Sequence, residues 1–229
     1  MRLLAFETAT RRLSVALWQD GESIERAEEL PNSGSERLLP WVHQLLAEAG
    51  LTLAQIDGIA FGAGPGGFTG LRLACGVAQG LAYGLDLPVL PVSTLEALAL
   101  ASGERDVWAC LDARMNEVYS AAYRVEGNSV RELMTPVCMS PGAVPAPTFA
   151  GGWGVGDGFA SYGRLLLARK PDLEGARAEV FPTAAGVLRL AVPAFARGAA
   201  LGAALAQPIY VRDKVALTTA ERIARGGAK

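Results

Sequence analysis

The chain has 229 residues, 51% of them hydrophobic, and its 21 basic and 23 acidic residues leave a formal charge of -2. This length and composition predict a globular protein with a large core in one or two domains. The balanced charge excludes a chain-wide basic field for binding nucleic acid without a partner, and the sequence shows no uncharged run of about 18 apolar residues typical of a membrane span.

The cysteines and the first residues predict the compartment. Cys75, Cys110 and Cys138 are odd in number and lie among apolar neighbours, which favours buried, reduced thiols over a disulfide framework. The opening MRLLAFETAT reaches an acid soon after Arg2, so its apolar run is too short for a signal peptide. We expect a cytoplasmic protein.

Three strand-like runs open the chain, LLAFETAT, LSVALWQ and SIERAEEL, separated by RR and by DG, a typical hairpin turn. A helix follows over about residues 36–49, with Ser35 as its cap and Pro40 inside it. The run IDGIAFG predicts a strand, and a second helix covers about residues 69–84. LPVLPV predicts a further strand, and a third helix begins near Ser93.

The turn GAGPGGFTG, residues 62–70, raises the question of phosphate binding, because such turns present backbone N–H groups at a helix N-terminus. Gly62, Gly64 and Gly67 satisfy G-x-G-x-x-G. However, Asp86, at about the distance of a ribose-binding acid, precedes the apolar run PVLPV instead of ending it. The lysine of a P-loop is also missing from the turn. A tight turn with close helix packing is favoured over nucleotide binding.

The pattern of strands and turns at the start of the chain then recurs in the second half. DVWACLDARMNEVYSAAYRVEGN resembles LLAFETATRRLSVALWQDGE, each with a strand ending in an acid, a polar turn and another strand, and Glu7 corresponds to Asp112. We therefore predict two related domains, 1–104 and 105–229, joined at 103–105 without a flexible linker. The later PGAVPAPTF is proline-rich enough to be a loop or a sheet edge.

The second helix almost lacks the polar stripe of a helix packed on one sheet face. Its small residues would let another helix approach closely, and the first helix has apolar residues to spare. A subunit interface and burial within the monomer both fit this pattern. On the interface interpretation, Ala78→Glu would weaken association without unfolding the monomer. That interpretation assigns ten residues to the interface: Leu38, Trp41, Val42, Leu45, Phe68, Leu71, Cys75, Ala78, Leu81 and Ala82.

Several segments together resemble the TsaB (YeaZ) family: FETAT, SERLLPWVHQLL, GPGGFTGLRLACGVAQGLAYGLDLPVLPVSTLEALA, DARMNEVY and PIYVR. The match is dense in the first half and sparse in the second, and GPGGFTGLR is its specific part. The resemblance implies an α/β protein with the actin-like, Hsp70-like ATPase fold, built from two ribonuclease-H-like mixed-sheet domains in tandem. It also implies a role in making N6-threonylcarbamoyladenosine beside the tRNA anticodon.

The resemblance further implies a non-catalytic subunit. In this pathway TsaD, a paralogue, transfers the threonylcarbamoyl group to tRNA, TsaB-like proteins are its obligate partners, and the ATPase TsaE joins them. A homodimer is expected when the chain is alone, with tRNA met through the assembly and no membrane. TsaD-like proteins carry a metal-binding H-x-x-x-H after the strand matching LPVLPV; here Thr94 and Leu98 take those positions, so no metal is expected. No cofactor is expected in the isolated chain, while ATP or ADP fits at the interface with partner subunits.

An ATP-binding phosphotransferase or ATPase is the first alternative, because Glu7 and Asp112 resemble acids that hold metal-bound phosphates in this fold. The resemblance also places GGWGVGDG, residues 151–158, where adenosine would be held. Glu7, Asp112, Gly152 and Gly156 are therefore a candidate vestigial nucleotide site. The competing interpretation makes both acids turn-forming residues that cap strand ends.

A glycoprotease-like peptidase is the third option. A nucleophile needs a base within hydrogen-bond reach, and the chain's one histidine, His43, lies in a different predicted element from Cys75 and Cys110. A solvated or boundary histidine is favoured over a metal ligand.

Overall fold

The computed structural model describes residues 1–30 and 34–212, which form two five-stranded sheets. The strands of the first sheet are β1 (Arg2–Glu7), β2 (Arg12–Gln19), β3 (Glu22–Glu29), β4 (Gly58–Gly64) and β5 (Val89–Ser93). Those of the second are β6 (Asp106–Arg114), β7 (Glu117–Glu126), β8 (Ser129–Met139), β9 (Trp153–Val155) and β10 (Gly175–Arg177). The helices are α1 (Ser35–Glu48), α2 (Phe68–Leu85), α3 (Thr94–Ser102), α4 (Gly158–Arg169) and α5 (Ala184–Ala196).

The two sheets have the same topology. In the order β3-β2-β1-β4-β5, the first three strands along the chain form an antiparallel meander, and β4 and β5 add in parallel beside β1. The second sheet, β10-β9-β6-β7-β8, repeats this arrangement strand for strand. The duplication is therefore real, and the expected fold of two ribonuclease-H-like mixed sheets in tandem is confirmed.

Helices cover both faces of each sheet because successive strand residues point to opposite sides. Leu4 and Phe6 of β1 face α1 and α2, whereas Leu3 and Ala5 face α5. In the second sheet, β6 packs against α3 on one face and α4 on the other. Helix α5 thus follows the second sheet in sequence but packs on the first sheet. The predicted boundary between residues 104 and 105 therefore separates the strands of the two sheets correctly, but it does not assign α5 to the sheet on which it packs.

Local signals explain where the helices begin. Gly34, with φ of 60°, occupies the cap position of α1, and Ser35, expected there, is its first residue. The Ser93 hydroxyl accepts a hydrogen bond from the Glu96 backbone N–H at 3.3 Å and caps α3, which begins where the sequence predicted a helix start. None of the helices within the described ranges is long and apolar enough to cross a membrane.

Most of the side chains assigned to the subunit interface lie inside this chain. Phe68 is 43% exposed and Leu81 is half-buried, but the other eight side chains are buried inside this chain. Ala78 is completely buried, so a glutamate there would enter the core. The polar stripe is missing from α2 because its solvent face carries small residues in place of polar ones. The eight buried residues are Leu38, Trp41, Val42, Leu45, Leu71, Cys75, Ala78 and Ala82.

Candidate functional site

A cleft of about 550 Å³ lies between the two halves of the molecule. The first half contributes the turn after β1 and the glycine-rich turn before α2. The second half contributes the β6–β7 turn and the start of α4, and residues 209–212 form a further wall. An interdomain cleft of this size is the default place to look for a ligand site.

The glycines before α2 allow two turns to pack backbone against backbone. The Gly67 N–H donates to the Ala9 carbonyl at 2.7 Å, and the Thr8 hydroxyl donates to the Gly70 carbonyl at 2.6 Å. A Cβ atom on Gly70 would lie 1.9 Å from the Thr8 carbonyl oxygen, and one on Gly66 would lie 2.5 Å from the Ala9 Cβ. These contacts support the interpretation of GAGPGGFTG as a tight, closely packed turn.

Glu7 lies beneath this turn and has no exposed surface. Its Oε1 accepts from the Ala9 N–H at 2.7 Å and its Oε2 from the Thr94 hydroxyl at 3.1 Å, while that hydroxyl accepts from the Gly64 N–H at 3.2 Å. Gly62 makes room for the carboxyl group, since a Cβ there would lie 1.9 Å from Oε2. Burial raises the pKa of Glu7 to about 7, against the lowering effect of the Ala9 and Thr94 hydrogen bonds.

Asp112 lies in the cleft wall. Its carboxylate accepts from the Arg114 N–H at 2.8 Å, from the Arg114 guanidinium at 3.2 Å and from the Ser161 hydroxyl at 3.3 Å. The Asp112 N–H in turn donates to Asp157 Oδ1 at 2.9 Å. Burial raises the pKa of Asp157; the hydrogen bond from the Asp112 N–H opposes this shift, and the Asp112 charge adds to it.

Glu7 and Asp112 do the same structural work in the two halves. Each carboxylate accepts a hydrogen bond from the backbone N–H two residues later, at 2.7 Å in Ala9 and 2.8 Å in Arg114. This is the local turn that acidic side chains form at strand ends. The geometry therefore supports turn-forming acids, and it places Glu7 below the cleft instead of inside it.

The four residues of the candidate nucleotide site do not converge. Asp112 lines the cleft, whereas Gly152 and Gly156 serve to pack neighbouring strands. A Cβ on Gly152 would lie 2.5 Å from the Phe149 ring, and one on Gly156 would lie 2.4 Å from the Cys110 carbonyl oxygen. Of the four residues, Asp112 is the one that lines the cleft, because Glu7 is buried below it and both glycines pack against neighbouring groups.

Burial opposes activation of the thiols. Burial raises the pKa of Cys110 to about 12, and it raises the pKa of Cys75 as well. His43 lies on the exposed face of α1. Among the residues that the structure describes, histidine, cysteine and carboxylate side chains form no group of three able to hold a metal ion.

The two positions matched to the paralogue's metal-binding histidines serve packing. Thr94 is buried with its hydroxyl on Glu7. Leu98 is buried in the core between α3 and the second sheet. Both positions therefore have a structural explanation in this chain.

The solvent face of α2 carries small residues of the kind that the sequence linked to close helix approach, but it lies outside the ten residues assigned to the interface. We call it the α2 face; it consists of the exposed Gly76, Gly80, Tyr83 and Gly84 and the half-buried Leu73 and Val77, which also pack against the core of the first half. Across the described parts of the chain, nothing comes within 4 Å of a Cβ added to any of its three glycines, and the Tyr83 side chain is 81% exposed. The four-residue spacing of the glycines was the available signal, because it places them on one side of a helix.

Comparisons with family models, with curated proteins and with solved structures each give matches. The family model described as "TsaD: tRNA N6-adenosine threonylcarbamoyltransferase" matches residues 29–170. The tRNA threonylcarbamoyladenosine biosynthesis protein TsaB of Escherichia coli (strain K12) is 38% identical over 229 residues, which cover 94% of this chain and 96% of that protein. The solved structure named YeaZ from Pseudomonas aeruginosa is 40% identical with a TM-score of 0.84, covering 91% of this chain and 99% of its own.

Proposed function

The chain belongs to the TsaB (YeaZ) family, and from this membership we propose that it acts in tRNA threonylcarbamoyladenosine biosynthesis as the partner subunit of a TsaD-like transferase. The names of its relatives support a role in this pathway, and the exposed surface of this chain supports action by binding a partner protein. The protein supports transfer of the threonylcarbamoyl group by binding the transferase, and it does not carry out the transfer itself.

The α2 face is the observation that carries this proposal. Gly76, Gly80 and Gly84 lie along one side of an 18-residue helix and leave its backbone open to close approach. Leu73 and Val77 add apolar surface next to the glycines, and Tyr83 provides an exposed aromatic side chain of the kind that anchors protein interfaces. A helix of the transferase docks here, and a second copy of the chain takes its place when the protein is alone.

A supporting role agrees with the chemistry of the cleft. Glu7 and Asp112 are used to cap turns, and the Arg114 guanidinium pairs with Asp112 at 3.2 Å. The formal charge of -2 favours tRNA contact through the assembly over contact with this chain alone. We extend the proposal to a TsaE-like ATPase as a further partner, to ATP or ADP bound between subunits and to a cytoplasmic location.

The two enzymatic alternatives have less support. A phosphotransferase or ATPase would need both acids in the cleft, and Glu7 is buried below it. A cysteine peptidase would need a thiolate, and burial raises the pKa of Cys110 to about 12.

The substitution Gly80→Glu tests the docking surface. The new side chain projects from the open side of α2, so it should leave the fold intact and disrupt close helix packing. Gly163→Glu is the matched control, because Gly163 is also a helical glycine whose added Cβ has no neighbour within 4 Å among the described residues. Both variants are mixed with a purified TsaD-like protein and analysed by size-exclusion chromatography.

We expect Gly80→Glu to lose the complex and Gly163→Glu to retain it, with wild-type circular dichroism for both. A complex retained by Gly80→Glu at wild-type affinity would contradict docking on the α2 face. A complex lost equally by both variants would contradict it too.

A further inference from the structure

Residues 207–212, the C-terminal strap, contact both halves of the molecule, and residues 209–212 form one wall of the cleft. On the first half, the Ile209 N–H donates to the Ala63 carbonyl at 2.7 Å, at the end of β4. The Ile209 carbonyl oxygen would lie 2.8 Å from a Cβ on Gly64, whose φ is 118°, so this approach depends on glycine. The strap is therefore fitted against the glycine-rich turn.

Helix α2 holds the residue before the strap and the middle of the strap. The Gln79 side chain donates to the carbonyl of Ala206, the residue before the strap, at 2.9 Å, and Ala206 is buried in the core of the first half. The Arg72 guanidinium donates to the Tyr210 hydroxyl at 3.4 Å. These contacts fix the position of the strap where it leaves the first half.

Arg212 attaches the strap to the second half. Its guanidinium donates to the Ala113 carbonyl at 2.9 Å, to the Arg114 carbonyl at 3.4 Å and to Glu117 Oε2 at 2.6 Å. The side chain is only 14% exposed, and the preceding Val211 packs in the core of the second sheet. Charge-assisted hydrogen bonds of this kind are among the stronger polar contacts in proteins.

The turn that Arg212 binds is conformationally unusual. Arg114, Met115 and Asn116 have φ values of 59°, 56° and 60°, so three consecutive residues other than glycine are in the left-handed region. Such residues store strain and persist where surrounding contacts hold them. Arg212 binds the carbonyls of Ala113 and Arg114, and Asp112 in the cleft wall lies at the start of this turn.

We propose that the C-terminal strap is a conformational clamp that holds the cleft at its observed width, with Arg212 as the group whose release frees it. Detachment of Arg212 relaxes the β6–β7 turn and separates the strap from the wall of the cleft. The clamp follows from contacts within this chain and does not depend on the docking partner proposed above.

Hydrogen exchange tests the clamp in the full chain. In Arg212→Gln, the amides of Ile209 and of Arg114 should exchange about tenfold faster than in the wild type, while amides of α4 and β2 keep their rates. Arg189→Gln is the matched control, because the Arg189 guanidinium also binds backbone carbonyls, those of Leu100 and Gly127, away from the strap. It should leave both reporter amides unchanged.

Trypsin gives a second readout that keeps Arg212 in place. A clamped Arg212 side chain cannot enter the protease, so cleavage after Arg212 should be slow in the wild type and at least fivefold faster in Glu117→Gln. The rate is measured by mass spectrometry relative to cleavage after Lys214. Glu104→Gln, which removes the partner of Arg177, is the control and should keep the wild-type ratio.

Equal cleavage ratios in the wild type and Glu117→Gln would overturn the clamp. Reporter amides of Arg212→Gln within twofold of the wild type would do so as well. An equal acceleration in Arg189→Gln would show general loosening and would also contradict it.

Discussion

Glu7→Gln should remove a pH-dependent loss of stability that comes from one buried carboxyl group. Burial raises the pKa of Glu7 from 4.5 to about 7, so its protonated form favours the folded state. The stability from this preference is complete below pH 4.5 and is lost as the pH rises through 7. Each pKa unit corresponds to about 1.4 kcal/mol, so about 2–3 kcal/mol should be lost between pH 5 and pH 8.

The assay is urea unfolding of both proteins at several pH values between 5 and 8. The glutamine is neutral at every pH in this range. The free energy of unfolding of the variant, relative to that of the wild type, should therefore rise by about 2–3 kcal/mol from pH 5 to pH 8. Burial also raises the pKa of Glu25, Glu96 and Asp157, but both proteins carry these groups, so their effects cancel in the difference. A difference between the two unfolding free energies that stays constant within about 0.5 kcal/mol would refute the reasoning.

Three further predictions concern single positions. Ala78→Glu should lower the free energy of unfolding by several kcal/mol, because it buries an unpaired charge, and circular dichroism should show an unfolded chain. A folded variant with weakened association would instead support the assignment of Ala78 to a subunit interface. Gly62→Ala should destabilise the protein by about 2 kcal/mol or more, because the added carbon would overlap the Glu7 carboxyl group, whereas Gly76→Ala should be neutral or stabilising by up to about 1 kcal/mol. Elemental analysis of protein purified without chelator should find no stoichiometric zinc or iron, because Thr94 and Leu98 replace the metal-binding histidines; stoichiometric metal would contradict this.

The repeated strand plan and the pairing of Glu7 with Asp112 predicted the duplicated fold because hairpin turns and strand-end acids leave local signals. The partner sheet of a helix leaves no such signal. Helix α5 packs on the first sheet because the two halves come together in three dimensions, and nothing in its own sequence specifies that sheet. Strand β8, which the sequence did not predict, contains Pro136 and lies at the edge of its sheet, where a proline is tolerated.

The assignment of buried α2 residues to an interface has a specific physical origin. The sequence showed correctly that the helix is apolar or small on nearly every side, but apolar residues face either a core or a partner. Residues 203–206 cover one side of α2, where the Gln79 side chain binds the Ala206 carbonyl at 2.9 Å, and this contact joins segments more than 120 residues apart. The exposed side is therefore the glycine side.

The central claim is that this chain supports a transferase without being one. Its most direct test is a reconstituted reaction of a purified TsaD-like enzyme with threonylcarbamoyl-adenylate and tRNA, followed by mass spectrometry of the tRNA nucleosides. Modified adenosine should form slowly or not at all until this protein is added at an equal molar ratio, and Gly80→Glu should fail to stimulate where Gly163→Glu succeeds. Full activity of the transferase without this protein, or modified nucleoside formed by this protein alone, would contradict the claim.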